Sequence, residues 1–225
     1  MGAIVHFFSI ILGGAIGLLL KRGLPERFER ALLSGMALCV MLIGISGAIK
    51  GENTLIAIIS IAIGAVIGEL LDIDGFVNRV AKRIEDKISS GGRDVKFAQG
   101  FVTATLLFCV GAMAIVGSLD SGLSGDNNTL YTKSLIDGIT AVCFAANFGF
   151  GVLFSAIPIL IYQGAITLLA TFVAPYLNTT IINEMTCVGS LLIIALSLNM
   201  LNICKIKVAN YIPAIFIPII LCQFM

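Results

Sequence analysis

The side chains able to bind or move a charged species are few in this 225-residue chain, and most stand alone inside apolar sequence. Asp137 follows Lys133 by one helical turn, so an i,i+4 ion pair is its plainest expectation and binding of a cation or proton its functional one. Glu184 and Asp120 fall where helices begin or end, so they read as solvated termini or as the acidic mouth of a route. Asn147, Gln163 and Asn199 offer donors and acceptors together, so three amides at one depth could strip a hydration shell or bond helix to helix. Glu69, Asp72 and Asp74 form a rival acidic group. The lone histidine, His6, suits an interfacial or packing role better than metal binding, because the six cysteines form no C-x-x-C pair. No nucleophile motif or Ser-His-Asp arrangement is present, so the chain is read as a non-enzyme with no metal site and no cofactor.

The elements that hold these groups are dictated by composition. With 58% hydrophobic and 12% charged residues and a mean hydropathy of +1.06, the chain cannot clothe a water-soluble surface. In lipid every backbone amide and carbonyl must be paired internally, so the apolar runs predict an all-α, polytopic transmembrane bundle. Eight spans are expected, at 3–20, 31–49, 54–71, 98–119, 134–155, 158–176, 184–203 and 208–225. The stretch 135–176 would exceed about 60 Å as one helix, so it must cross twice or bend back, with Gly149, Gly151 and Pro158 supplying the turn. Lys and Arg cluster in alternate loops, leaving only Lys50 and Lys133 for the opposite face, which puts both termini outside. Pro213 and Pro218 are kink candidates in the last span.

Two hairpins repeat. Ser9–Leu20 returns as Ser60–Leu71, and Cys39-Val40, Ile45 and Gly47 return as Cys109-Val110, Ile115 and Gly117. Internal repeats of this kind are typical of transporters. Gly13 with Gly17, and Gly64 with Gly68, place small residues one turn apart, so neighbouring backbones can approach closely. The neighbour could lie in the same chain or in a second copy, which leaves a homo-oligomer open. A single integral membrane domain, 1–225, therefore divides into three spans (1–71), a cytoplasmic connector (72–96), a fourth span with its outer loop (97–133) and four spans carrying a polar path (134–225). The connector sets Val77, Val80, Ile84 and Ile88 against Arg79, Lys82, Arg83 and Lys87, ends at Gly91-Gly92, and reads as an amphipathic helix on the membrane surface. A net charge of +1 gives no reason to expect nucleic acid as a partner; the partners expected are the bilayer and a small solute or ion.

Larger groups of residues carry a resemblance. Gly117–Leu123, Lys133-Ser134, Asp137-Gly138, Gly151–Ala156 and Tyr162-Gln163-Gly164 resemble the bacterial domain-of-unknown-function 554 family. Glu184-Met185-Thr186, Leu198-Asn199, Lys205–Asn210 and Leu24-Pro25-Glu26-Arg27 agree with it. The resemblance implies a multi-pass protein of the bacterial cytoplasmic membrane, described at most as a candidate transporter, and it supplies no catalytic residue. The residues themselves lead to the same expectation: a small-solute or ion transporter or channel, with a Gly-packed scaffold in the first four spans and the route in the last four. A membrane sensor or assembly component acting through the basic connector is the alternative.

Overall fold

In the computed structural model residues 1–21, 26–88 and 96–224 are described, and they are helical with no strand among them. In chain order the helices are α1 Gly2–Lys21, α2 Glu26–Ala48, α3 Thr54–Leu71, α4 Ile73–Ile88, α5 Lys96–Cys109, α6 Ala112–Leu123, α7 Asn128–Phe148, α8 Gly151–Phe154, α9 Ala156–Leu168, α10 Ala170–Val173, α11 Thr179–Met200 and α12 Pro218–Leu221. Two 3-10 segments, Ala174–Tyr176 and Val208–Phe216, complete them. The expected stop at Gly91-Gly92 lies outside the described residues.

The faces of α1 show why this is a membrane protein. Ile4, Phe8, Leu12 and Ile16 form one exposed stripe, whereas His6, Ile10, Gly13 and Gly17 are buried on the other side. α3 repeats the arrangement, with Leu55, Ile58, Val66 and Leu70 exposed and Ser60, Gly64 and Gly68 buried. A contiguous apolar surface of this extent belongs against lipid rather than water.

The first three helices find their main partners far along the chain: α1 lies on α7, α2 on α11, and α3 on the 3-10 segment 208–216. Glycine makes two of these contacts. A Cβ at Gly13 would overlap the carbonyl oxygen of Gly138, and one at Gly17 that of Val142. A Cβ at Gly64 would collide with Ala214, and one at Gly68 with the carbonyl of Asn210. Both GxxxG faces are thus filled within the chain. A core of Ile10, Val40, Phe108, Phe144, Ile159 and Ile193 joins α1, α2, α5, α7, α9 and α11.

Several expected spans are not continuous. α5 and α6 meet at 60°, broken at Gly111, whose φ of +123° is one that L side chains rarely adopt. α9 stops at Leu168 rather than reaching 176, and the final segment is a nine-residue 3-10 helix around Pro213, followed by one turn beginning at Pro218. Proline removes an amide donor and clashes with the preceding turn, so an α-helix cannot pass through 213 unaltered. By length and composition four helical stretches among the described residues can cross a membrane, Gly2–Leu20, Thr54–Leu71, Gly151–Leu168 and Thr179–Met200, or five if the bent α5–α6 pair counts as one. α7 is as long, but Lys133, Asp137 and Asn147 lower its hydropathy. It compensates by burying those three groups against protein.

Candidate functional site

Three helices bring their polar residues to one buried point. His6 comes from α1, Lys133 and Asp137 from α7, and Gln163 from α9, which follows the turn at Gly149 and packs against α1 and α6. His6 Nε2 lies 2.9 Å from Asp137 Oδ2, His6 Nδ1 lies 2.9 Å from Gln163 Oε1, and Lys133 Nζ lies 2.8 Å from the same Asp137 oxygen. His6 and Gln163 are fully buried, and the Lys133 and Asp137 side chains are each 9% exposed. Ions so placed would be costly alone, and here each charge meets a partner at hydrogen-bond distance. One atom escapes: Gln163 Nε2 is buried with no hydrogen-bond partner. Beside α7, the Ser9 hydroxyl donates to the Ser134 carbonyl at 2.6 Å, fixing the register of α1.

The break in α5–α6 lies close by. Cys109, the last residue of α5, is within electrostatic reach of both Lys133 and Asp137. At a helix break the carbonyls of one half and the amides of the other lose their helical partners, and their dipoles act on whatever charge is near.

A second buried carboxylate stands on α11. Glu184 is fully buried, and its Oε1 accepts the backbone N–H groups of Glu52 (2.7 Å) and Asn53 (2.8 Å) ahead of α3, whose N-cap is Asn53. Its Oε2 is buried without a partner. The expectation of a solvated helix end is therefore wrong for Glu184, because the loop before α3 folds over it and supplies the amides that water would have supplied. Asp120, by contrast, is half-buried near the end of α6.

The three amides do not share a depth. Gln163 meets His6 at the level of Asp137, ten residues or about 15 Å along α7 from Asn147. The expected fifth span ran on to 155, past the first glycines offered for the turn; α7 ends at Phe148 with Gly149 as its C-cap, so Asn147 lies at the turn and Gln163 well back from it. Asn147 donates to the Cys143 carbonyl at 2.8 Å and to Met36 Sδ at 3.1 Å, leaving its Oδ1 unpartnered. Asn199 clamps the loop after α11, donating to the Ile206 carbonyl (2.7 Å) and accepting from the Ile206 amide (2.9 Å). Lys133, expected in a loop, is buried inside α7. His6, expected at an interface or in packing, is fully buried with a polar partner at each ring nitrogen, and α1, expected to belong to the Gly-packed scaffold, supplies this centre of the cluster. The signal was present in the sequence: positions 6, 10, 13 and 17 share one face, so the GxxxG stripe that buries its glycines must bury His6 as well.

At the far end of α3 the rival acidic group is largely exposed. Glu69 pairs with Lys207 at 3.3 Å and accepts from Asn210, whose own Oδ1 accepts the Asp74 amide at 2.7 Å. The Glu69 bonds hold α3 to the 207–210 segment, and the Asp74 bond docks the first turn of α4 there instead of leaving it on lipid alone. Asp72 receives a 2.8 Å bond from Arg79, which holds its carboxyl below the usual carboxylate range. A cavity of about 400 Å³ lies here, lined by Asp74, Asn78, Gln99, Asn199 and Lys207 among others. An apolar one of about 300 Å³ lies between Phe76, Val80, Phe97, Phe101 and Phe154. Among the described residues no group of three or more potential metal ligands comes together.

Comparison with known proteins places no activity on this site. The family model described as "Protein of unknown function (DUF554)" matches residues 1–223. The chain is 32% identical over 221 residues to the uncharacterized membrane protein YdfK of Bacillus subtilis (strain 168), covering 96% of this chain and 93% of that protein. It is 29% identical over 220 residues to the uncharacterized protein YqgA of Escherichia coli (strain K12), covering 96% and 94%. No solved structure matches.

Proposed function

Since the chain belongs to the DUF554 family, whose name assigns no activity, we propose from its buried site that it is a transporter or channel for a small solute or ion in the bacterial cytoplasmic membrane. The observation that carries the reading is the His6–Asp137–Lys133–Gln163 cluster beside a broken helix. Ionisable groups at membrane depth are expensive to keep, and discontinuous helices are a recurring way to build a site for a charged solute. Gln163 Nε2 and Glu184 Oε2, buried without a protein partner, add two polar atoms to which a solute or ion could bond.

In this reading the chain crosses eight times with both termini outside. Its contacts respect that assignment. Gly2 N–H bonds Asn127, and Glu184 bonds the 52–53 backbone, all on the outer side; Glu69 with Lys207, and Asp74 with Asn210, meet on the inner side. The duplicated hairpin is supported by the equivalent roles of Gly13 and Gly17 in α1 and of Gly64 and Gly68 in α3. No reaction is assigned to the chain.

Flux in proteoliposomes tests the proposal, with monovalent ions, protons and small organic anions screened against wild type and Asp137→Asn. A specific flux that the variant loses is expected. A second reading, a sensor or assembly component, is favoured by two observations: Asp137 is closed off by Lys133 and His6, and α4 is docked on the bundle. Absence of flux for every species, together with a partner captured through α4, would replace the first reading by the second.

A further inference from the structure

The hydrogen bonds around His6 cannot all be satisfied by one fixed protonation state and a free amide. An ionised carboxylate only accepts, so the Nε2 that faces Asp137 must carry a hydrogen. Nδ1 faces Gln163 Oε1, which also only accepts, so with the amide in this orientation Nδ1 must carry a hydrogen too. The ring is then an imidazolium, and its charge together with Lys133 exceeds that of Asp137 by one.

Rotating the Gln163 amide by half a turn puts Nε2 where Oε1 was. That amide donates to Nδ1, which must then be a bare lone pair, and the ring is neutral with its hydrogen on Nε2. The cluster is then electrically balanced, and the atom left without a partner is the amide oxygen instead of the nitrogen. A charged ring with the rotated amide would set N–H against N–H. A neutral Nε2–H ring with the unrotated amide would set a lone pair against a carbonyl. Both mismatches are penalised by burial, since no water reaches His6 or Gln163 to correct them.

We propose that His6 is a proton-binding site whose occupancy is locked to the orientation of the Gln163 amide, so that a proton taken up between α1 and α7 is signalled to α9. The proposal deepens the transport reading and rests on it in one respect: the proton exchanged here is the coupling ion. The groups around the ring are compatible with this. α7 presents Asp137 and Lys133, α5 brings Cys109 near that pair, α9 carries Tyr162 beside Gln163, α6 carries Asp120 toward its far end, and α8 has no ionisable side chain. Asp137 stays paired with Lys133 in both states, so His6 alone changes charge.

His6 is the chain's only histidine, which makes the test direct. Full-length protein labelled with ¹⁵N-histidine in lipid nanodiscs reports both ring nitrogens by NMR across about pH 5 to 8, the range in which imidazoles titrate. The expected result is one transition, from a doubly protonated ring to the Nε2–H tautomer, in protein whose circular dichroism does not change. A ring of constant charge over that range, or a neutral form protonated on Nδ1, overturns the proposal. Gln163→Glu replaces the two-way amide with a carboxyl that, when ionised, only accepts, so it should hold the charged ring over more of that range. A folded variant with an unmoved midpoint also overturns it; if the variant does not fold, the wild-type tautomer decides alone. Flux separates this from the parent reading: a ring that titrates as described, in a protein that moves no solute under any imposed proton gradient, sinks transport and leaves the proton site standing.

Discussion

Asp137→Leu should be much more damaging than the double change Lys133→Met/Asp137→Leu, although the double change removes more of the native cluster. Lys133 Nζ lies 2.8 Å from Asp137 Oδ2, and each side chain is 9% exposed, so solvent screening offers little relief. Removing one partner of such a pair strands a buried charge and costs about 3–5 kcal/mol, whereas replacing both by apolar residues of similar size is often neutral or stabilising. Asp137→Leu also deprives His6 Nε2 of its acceptor, a loss shared by the double variant and worth about 1–3 kcal/mol. The double variant should therefore sit within about 3 kcal/mol of wild type and well above the single one. Lys133→Met should fall between, because Asp137 keeps His6 as a partner. Reversible unfolding in bicelles, followed by steric trapping, measures these differences. If Asp137→Leu unfolds no more readily than the double variant, the ammonium of Lys133 has another source of compensation and the account of the cluster is wrong.

Other outcomes follow from particular contacts. Gly68→Ala drives a methyl into the Asn210 backbone, which cannot yield as a side chain can, so it should cost about 1–3 kcal/mol; Gly35→Ala, with nothing within 4 Å, should be neutral or stabilising by up to about 1 kcal/mol, both read in the same unfolding assay. Glu184→Gln keeps an acceptor for the amides of Glu52 and Asn53 and should leave the fold intact, whereas Glu184→Leu orphans both and should destabilise by about 1–3 kcal/mol for each amide left unpaired. The depressed titration of Asp72 gives a pH-dependent contact: the bond to Arg79 is complete above the ordinary carboxylate range and is lost as pH falls through the lowered value. Because both side chains are exposed, hydrogen exchange in the first turn of α4 should quicken on acidification while the global unfolding midpoint holds.

The helical membrane class was legible because hydropathy is a property of every residue in a span. The Lys133–Asp137 pair was legible because both members lie on one helix at a fixed spacing. The meeting of His6 with Gln163 was not, since it depends on which distant helix fills the GxxxG face of α1, and glycine spacing shows only that something will. Nor could the depth of Gln163 be counted, because Gly149, Gly151 and Pro158 all offered a turn and a run with only Asp137 charged does not choose between them. Glu184 looked solvated for the same reason: the loop that buries it belongs to a segment more than 130 positions earlier.

The pairing of α1 with α7 has a consequence for how the protein is made. His6 is synthesised 131 residues before Asp137 and 157 before Gln163. At about 5–20 residues per second of translation, α1 waits on the order of ten seconds in the bilayer before its buried face has anything to pack against. During that interval its lipid stripe can anchor it, but its glycines lie bare and its imidazole has no aspartate. Assembly is then a closing of early helices onto late ones, and a nascent chain arrested before α9 would hold an incomplete cluster, a ready mark for membrane proteases.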